Sequence, residues 1–460
     1  MASARASRAS WAASLSEAVA TGSLPARDGW AALLGLARLN GNATLRWLAA
    51  EVDEPARWRD LAWDDPSLLP TPPAGLPGAR RFANTDWGVL RSGWRWGEDM
   101  ALVLSSGFRT GHSHLDANHL LLDAFGETLL TDPGRKHYTP EVFAPGGKAR
   151  PEWTSTRGHN TVLIDELGQT ALAQGRGSTL RACLDGPYCS YLVSEAADAY
   201  PEKAERVLRT VLFVAQRYFV VLDDLRAGWP AVWEARYHCA GTVDVEDQRQ
   251  ASAAGTLAGL RLVIEGSPGV ALSQDESADA GPCIRATTTS PAPRARLLTV
   301  AYPYRISDAT ARAPDASPSI VVQRTEDGGF ALEVGRGDGI VDAVTWTLEG
   351  DEGRVTAVTR RAGELTGFFA AGSRGLTSGA PVFASDQPLD ISGRADSTSI
   401  QVAVDAGQTG VNLVLFIAPA RVRELGLDGA AVQVSPDAGG RGVQVRVPAG
   451  VHRLDLALRG

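Results

Sequence analysis

From residue 87 onward the chain is a succession of short apolar runs separated by Gly, Pro, Asp and Ser, and this punctuation limits the folds open to it. Runs at 87–96, 100–105, 207–214 and 218–222 have strand length, and the last two flank a short Gln216-Arg217 turn, as a hairpin requires. Similar runs recur at 260–264, 296–302, 319–322, 330–334, 340–347, 400–405, 411–417, 432–434, 442–447 and 453–458. No long helical period intervenes, so the expected class is mainly β, with antiparallel sheets packed as β-sandwich domains.

The first part of the chain reads differently. Residues 28–51 carry helical spacing through Trp30, Leu33, Leu34 and Leu36, broken at Asn40-Gly41-Asn42. Asn42 can cap a second run holding Leu45, Trp47 and Leu48, and a third helix is expected over 55–63 with Pro55 at its start. Pro66, Pro70, Pro72, Pro73 and Pro77 then form a stiff linker. The expected organisation is a helical segment over 1–65, a linker over 66–80, a main β domain over 81–370 and a small β unit over 371–460. The Gly-, Ser- and Asp-rich stretch 371–396 marks the last boundary.

Net charge decides which partners to consider. The 460-residue chain carries a formal charge of -8, which argues against nonspecific nucleic-acid binding. No apolar run approaches the roughly 20 residues that span a bilayer, so no membrane partner is expected. The first twenty residues hold two arginines and no continuous apolar core, so they do not read as a secretory signal. That leaves cytoplasmic residence or a natural start further upstream. Cys183, Cys189, Cys239 and Cys283 show no CxxC spacing; buried free thiols are favoured over one or two disulfides.

Histidine is concentrated. His112, His114 and His119 fall within eight positions, and His137 and His159 follow. If Gly111-His112-Ser113-His114-Leu115-Asp116 is extended, His112, His114 and Asp116 share a face, whereas on a helix the two imidazoles would diverge. His114, Asp132 and His159 are of the right types for a metal site with a fourth position open. A simple hairpin through Gly126-Glu127 sets Asp132 opposite Leu121, too far along the ladder to reach His114, so residues 112–116 would have to bend back over the sheet. Single His and Asp residues are also common as hydrogen-bonded structural groups. Between residues 132 and 159 five basic residues stand against three acidic ones, so the surroundings are locally basic. Trp94 and Trp96 read as a core aromatic pair more than as a sugar platform. His238 reads as a satisfied strand residue, and His119 and His452 show no partner.

Taken together, the stretch 111–134 with its HxHxD and Asp132-Pro133-Gly134, then Tyr138, then 155–162 with His159-Asn160-Thr161, preceded by 89–94, resembles the heparinase II/III-like family of polysaccharide lyases. The resemblance is clear over about residues 60–250. It implies an (α/α) toroid followed by β-sandwich domains with the active site between them, so that residues 28–63 look like a short helical remnant of the toroid. It further implies that His112 faces substrate as a catalytic residue, that His114, Asp132 and His159 hold a structural zinc ion, and that Arg135 and Arg157 are candidates for an anion-binding wall. The reaction implied is β-elimination on uronic-acid-containing anionic glycans.

In the resembled family the base lies in the toroid, of which about three helices are legible here. The chain therefore reads as incomplete, with Tyr138 a weak substitute base. Rival readings are a zinc-stabilised glycan-binding β-sandwich without catalysis, and a metallohydrolase. Family members are commonly periplasmic or secreted. Apolar residues along the helical edge allow a homo-oligomer.

Overall fold

In the computed structural model of the protein, the described residues are 34, 37–51, 64–73, 75–95, 97–109, 113–134, 136, 139–143, 150–170, 175–277, 280–306, 318–337, 339–349 and 352–459. Helix α1 (Ala43–Glu51) begins where Asn42 predicts it: the Asn42 Oδ1 accepts the backbone N–H groups of Thr44 and Leu45 at 3.0 and 3.1 Å. The helix expected over 55–63 lies outside the described residues.

Strand pairing starts at Ala79. The first six strands are β1 (Ala79–Phe82), β2 (Trp87–Arg91), β3 (Met100–Ser105), β4 (Phe108–Arg109), β5 (His119–Ala124) and β6 (Glu127–Leu130). All but β4 form an antiparallel sheet in the order β1-β2-β3-β5-β6. There follow β7 (Val162–Ile164), β8 (Gly175–Arg176), β9 (Thr179–Leu184), β10 (Cys189–Glu195), β11 (Arg206–Val214), β12 (Tyr218–Ala231) and β13 (Trp233–His238), and β4 pairs with β8. Next come β14 (Thr242–Val245), β15 (Gln250–Ala254), β16 (Ala258–Ser267), β17 (Val270–Ser277), β18 (Gly281–Thr288) and β19 (Ala292–Arg305). Eight of these make the sheet β14-β15-β16-β19-β12-β11-β10-β9, and four make β17-β18-β13-β7.

The eight-stranded sheet is a middle layer. On β11 and β12 the odd-numbered Val211, Phe213, Phe219 and Val221 pack with Leu90, Leu102, Leu104 and Leu122 of the first sheet. The even-numbered Leu212, Val220 and Leu222 pack on the other side with Phe330, Leu332, Val344 and Trp346. Burial on both faces is why these two strands read as unbroken apolar runs instead of alternating ones. The hairpin between them turns through the three residues 215–217: Ala215 and Gln216 are left-handed (φ 51° and 54°), and Arg217 donates its N–H to the Val214 carbonyl at 2.9 Å.

Residues from Ser319 onward add a further large sheet of antiparallel strands with its own core, which includes Ile391, Val404, Leu413, Val443 and Leu456. The stretch 371–396, read as a boundary, is occupied by two long paired strands, Glu364–Ser378 and Ala380–Ala395. Their register shifts repeatedly and many of their side chains are exposed, so the apolar alternation that signals a strand is missing there.

One polar pair sits inside the core face of the middle layer. Arg209 on β11 is directly opposite Asp223 on β12, with Nε–Oδ1 2.7 Å and Nη2–Oδ2 2.9 Å, and both side chains are almost fully buried. The remaining guanidinium nitrogen donates to the carbonyls of Asn118 (2.6 Å) and Asn160 (2.7 Å). Removing one partner strands a buried charge, so Arg209→Met should lower the unfolding free energy by about 3–5 kcal/mol. The half-exposed Arg226–Glu205 pair is the control, and Arg226→Ala should cost less than about 1 kcal/mol. Urea denaturation measures both, and equal small shifts would remove the pair from its structural role.

Candidate functional site

The site forms where β5, β6 and β13 end together. Three stretches bring it about: the loop 113–118 leading into β5, the turn after β6, and the short 3₁₀ turns Glu152–Thr154 and Thr156–Gly158 before β7. The loop is not extended over its described part. Leu115 donates its N–H to the Thr154 carbonyl, Asn118 donates to Ser105, and His119 closes back on Asp116. With Asn118 in the left-handed region (φ 59°), the segment bends over the sheet. His112 lies outside the described residues, as do Arg135, His137 and Tyr138.

The expected hairpin register needs one correction. The strands turn through Phe125-Gly126, both left-handed, so Ala124 pairs with Glu127; a bulge between Leu122 and Asp123 then pairs Leu122 with Leu130, and continuing the ladder sets Asp132 beside Leu120 instead of Leu121. The tight turn and the bent loop together bring His114, Asp132 and His159 to one place, with one ligand atom from each lying within 4.8 Å of the others. His114 Nδ1 is 3.1 Å from His159 Nε2, and His159 Nε2 is 3.4 Å from Asp132 Oδ2.

Each donor is held from behind. The Ser155 carbonyl lies 2.7 Å from His159 Nδ1 and can only accept, so Nδ1 carries the proton and Nε2 turns its lone pair on the site. Burial pushes the His159 pKa down to about 3, so the ring is neutral at pH 7. Burial also lowers that of His114, whose ring meets Trp153 edge-on at 5.2 Å. Asp132 Oδ1 accepts the Gly134 N–H at 2.7 Å, and Gly134 takes φ +64°, which explains a glycine in Asp132-Pro133-Gly134. Burial alone would raise the Asp132 carboxyl. The hydrogen bond from His119, the neighbouring imidazoles and the Gly134 N–H outweigh it and hold the group well below the usual carboxylate range.

His119, which shows no partner from sequence, proves to be a supporting residue. Its Nδ1 accepts the Asn160 N–H at 2.8 Å, so Nε2 carries the proton and faces Asp132 Oδ2 at 3.3 Å. Asn160 is equally central. Its Nδ2 donates to the carbonyls of Leu120 (2.7 Å) and Thr131 (3.0 Å), and its Oδ1 accepts the His238 N–H (2.6 Å). Thr161 Oγ1 donates to the Ala117 carbonyl at 2.8 Å. In the His159-Asn160-Thr161 motif one residue is thus a donor and two are clamps. Neither clamp could be found by asking which residues bind metals; only their place beside His159 pointed to them.

The other expectations fall out as follows. Arg157 is partly exposed and donates to the Glu166 carbonyl at 3.0 Å, with the Glu166 carboxylate at 3.7 Å. His238 lies in β13 and donates from Nε2 to the Arg157 carbonyl at 2.8 Å. His452, also without a partner from sequence, pairs with Asp428 at 2.6 Å. Trp94 is only half-buried, and Trp96 is outside the described residues. All four cysteines are free; Cys189, Cys239 and Cys283 are buried.

The sequence model described as heparinase II/III-like, C-terminal, matches residues 74–323, more than half of the chain. The chain belongs to the heparinase II/III-like family. Among solved structures it is similar to a heparan sulfate lyase HepC mutant from Pedobacter heparinus, at 15% identity over 70% of this chain and 48% of that one, with a TM-score of 0.53. A heparinase III gene product gives 18% identity, the same coverages and a TM-score of 0.52. A Paenibacillus xanthan lyase gives 10% identity over 94% of this chain and 44% of that one, with a TM-score of 0.50. These likenesses establish the fold, and the chain spans about half the length of the lyases it matches. A comparison with curated protein sequences finds no match.

The heparinase II/III-like site is sensitive to acid through the histidine behind it. Burial lowers the His238 pKa from 6.5 to about 4. Below pH 6.5 the unfolded chain therefore takes up a proton that the folded chain refuses until about pH 4. This contribution to stability is complete above pH 6.5 and is lost as pH falls, at up to about 1.4 kcal/mol per unit. Urea midpoints measured between pH 7 and 4 should fall, and His238→Gln should flatten that fall. An unchanged slope in the variant would remove His238 as its source.

Proposed function

We propose that this chain is the β-rich part of a polysaccharide lyase that opens uronic-acid-containing anionic glycans by β-elimination, with a structural zinc ion held by His114, Asp132 and His159. The observation that most supports this reading is the convergence of those donors inside the family-matched region. The fit is chemical as well as spatial. Zinc bonds of about 2.0–2.1 Å to N and O, arranged tetrahedrally, imply donor separations of about 3.3 Å. His159 Nε2 lies 3.1 Å from His114 Nδ1 and 3.4 Å from Asp132 Oδ2. A neutral imidazole lone pair facing a buried carboxylate oxygen at 3.4 Å is repulsive until a cation lies between them. When bound, the ion supplies fixed positive charge that ties three chain segments together.

The work on substrate falls to the chain's own groups. In the elimination a base takes the C5 proton, the electron pair becomes the C4–C5 double bond, the C4–O bond breaks, and the leaving oxygen takes up a proton. The C5 proton is a poor acid until its carboxylate is neutralised by donors already in place. His112, two residues from His114, is assigned to that neutralisation or to the proton transfer. Arg157 and Arg135 are assigned to the anion-binding wall, with Glu166 already engaging part of the Arg157 fork. The resemblance puts the base itself, worth about 10²–10⁴-fold in rate, in the helical toroid.

Metal analysis of the dialysed protein should find close to one equivalent of zinc, lost in His159→Ala. His114→Ala should lose metal and melt earlier, while His112→Ala keeps both near wild type, because a ligand's binding energy is coupled to folding and a substrate-facing group's is not. Equally low metal in wild type and variants would end the zinc assignment.

The 460-residue chain on its own should be a poor lyase. An ultraviolet assay for unsaturated products on heparan, chondroitin, hyaluronan and alginate checks this. Brisk elimination would place the base within this chain and direct attention to Tyr138. Binding without elimination would favour a glycan-holding module.

A further inference from the structure

At the far end of the first sheet from the histidines there is a cavity of about 350 Å³, a size typical of small-ligand sites. Arg91, at the end of β2, faces Ala101 on β3, and Ala101 faces Asp123 on β5. Asp123 is four residues, about 13 Å, along β5 from His119, so the cavity is separate from the donor cluster. Its walls come from the turn after β2, the loop 185–187 between β9 and β10, the β11–β12 turn, and the C-terminal sheet.

The walls are built firmly. The turn carrying Trp94 is drawn in by Asp99, which takes the Arg95 N–H, and by Ser92 Oγ, which accepts the Met100 N–H at 2.9 Å. A side chain at Gly93 would collide with the Asp99 carboxylate, 2.5 Å from where its Cβ would stand. On the other side a Cβ at Gly186 would lie 2.4 Å from Ser392 Cβ, and Ser392 Oγ accepts the N–H groups of Tyr188 and Cys189 at 3.3 and 3.0 Å. Loop 185–187 is therefore pressed directly onto the C-terminal sheet.

The lining has a definite chemistry. The Arg91 guanidinium lies over the Trp94 ring, 4.0 Å from its centroid, and its buried Nε has no hydrogen-bond partner. Asp185 is already engaged, by Arg453 at 2.7 Å and by the Ala79 N–H at 3.0 Å. Cross-strand pairing sets Arg394, Gln401 and Asp455 in one row on one face of the C-terminal sheet. Arg394 is exposed and makes no ion pair among the described residues. Two guanidinium groups are thus available for an oxyanion, with the amides of Gln216 and Gln401 beside them for hydroxyl groups and an indole for a sugar ring.

We propose that this cavity is a second glycan site, which takes a carboxylate- or sulfate-bearing sugar unit between the family-matched region and the C-terminal sheet. Its anion-binding character stands on the lining residues; the choice of a sugar rests on the lyase reading above. A site there would hold a chain end or a distant unit of the polymer and add to its affinity without touching the reacting bond.

The test uses the full chain and calorimetric titration with tetrasaccharides of the four acidic glycans named above, a neutral tetrasaccharide, and inorganic sulfate. At least one acidic tetrasaccharide should bind. Arg394→Glu and Trp94→Ala should each weaken it by about tenfold or more, the size expected for one charge-assisted hydrogen bond or stacking contact. The losses should persist in a His159→Ala background, where the donor cluster is disabled. Unchanged affinity in Arg394→Glu, equal binding of the neutral tetrasaccharide, response to sulfate alone, or a loss that follows His159→Ala would each overturn the proposal. The ultraviolet assay reports on the lyase reading independently, so failure of one is distinguishable from failure of the other.

Discussion

The buried Arg209–Asp223 pair is the interaction on which the arrangement of the site depends. It lies on the face of β11 and β12 that meets the first sheet, beside a large apolar core, and the guanidinium is held by the bidentate carboxylate and two backbone carbonyls. Those carbonyls belong to Asn118 and Asn160, one just before β5 and one just after His159. A single charged group in the middle layer therefore fixes the spacing of both segments that carry the imidazoles. An apolar residue of similar size could fill the volume, but it could not hold two carbonyls that point inward.

Asn160 carries that order outward. Its amide joins β5, the residue after β6 and the end of β13, so the edges of two sheets are clamped at the point where the donors meet. His119 then orients the Asp132 carboxylate, and Ser155 sets the His159 tautomer. The consequence is a cluster of electron-rich atoms held close together by groups that cannot retreat. Such frustration is tolerated where a bound cation resolves it.

Much of this was legible in the sequence, and the parts that were not share physical causes. Runs such as 260–264 and 330–334 are strands because their apolar residues had to face a core. The stretch 371–396 was read as a boundary because many of its side chains are exposed and its register is broken, which leaves no alternation to see. The donor types were legible; their meeting was not, because it depends on a turn through a left-handed Phe125 and on a left-handed Asn118, neither of which has a reliable sequence signature. His119 and Asn160 were missed as supports for a different reason: their partners are a carboxylate and backbone groups up to 78 positions away.

The spacing of the donor cluster along the chain has a kinetic meaning. His114 and His159 are separated by 45 positions, and the Arg209 bonds that set their segments span 91 and 49. Closing loops of that length costs on the order of 3 kcal/mol each before any contact repays it. Contacts of such sequence separation are expected to form after local ones, so the donors should meet only once β11 has docked. A cation arriving early finds scattered ligands, unlike the short-spaced sites that seed small metal-dependent domains. If the proposed zinc binds, it acts as a closing fastener on a fold already made.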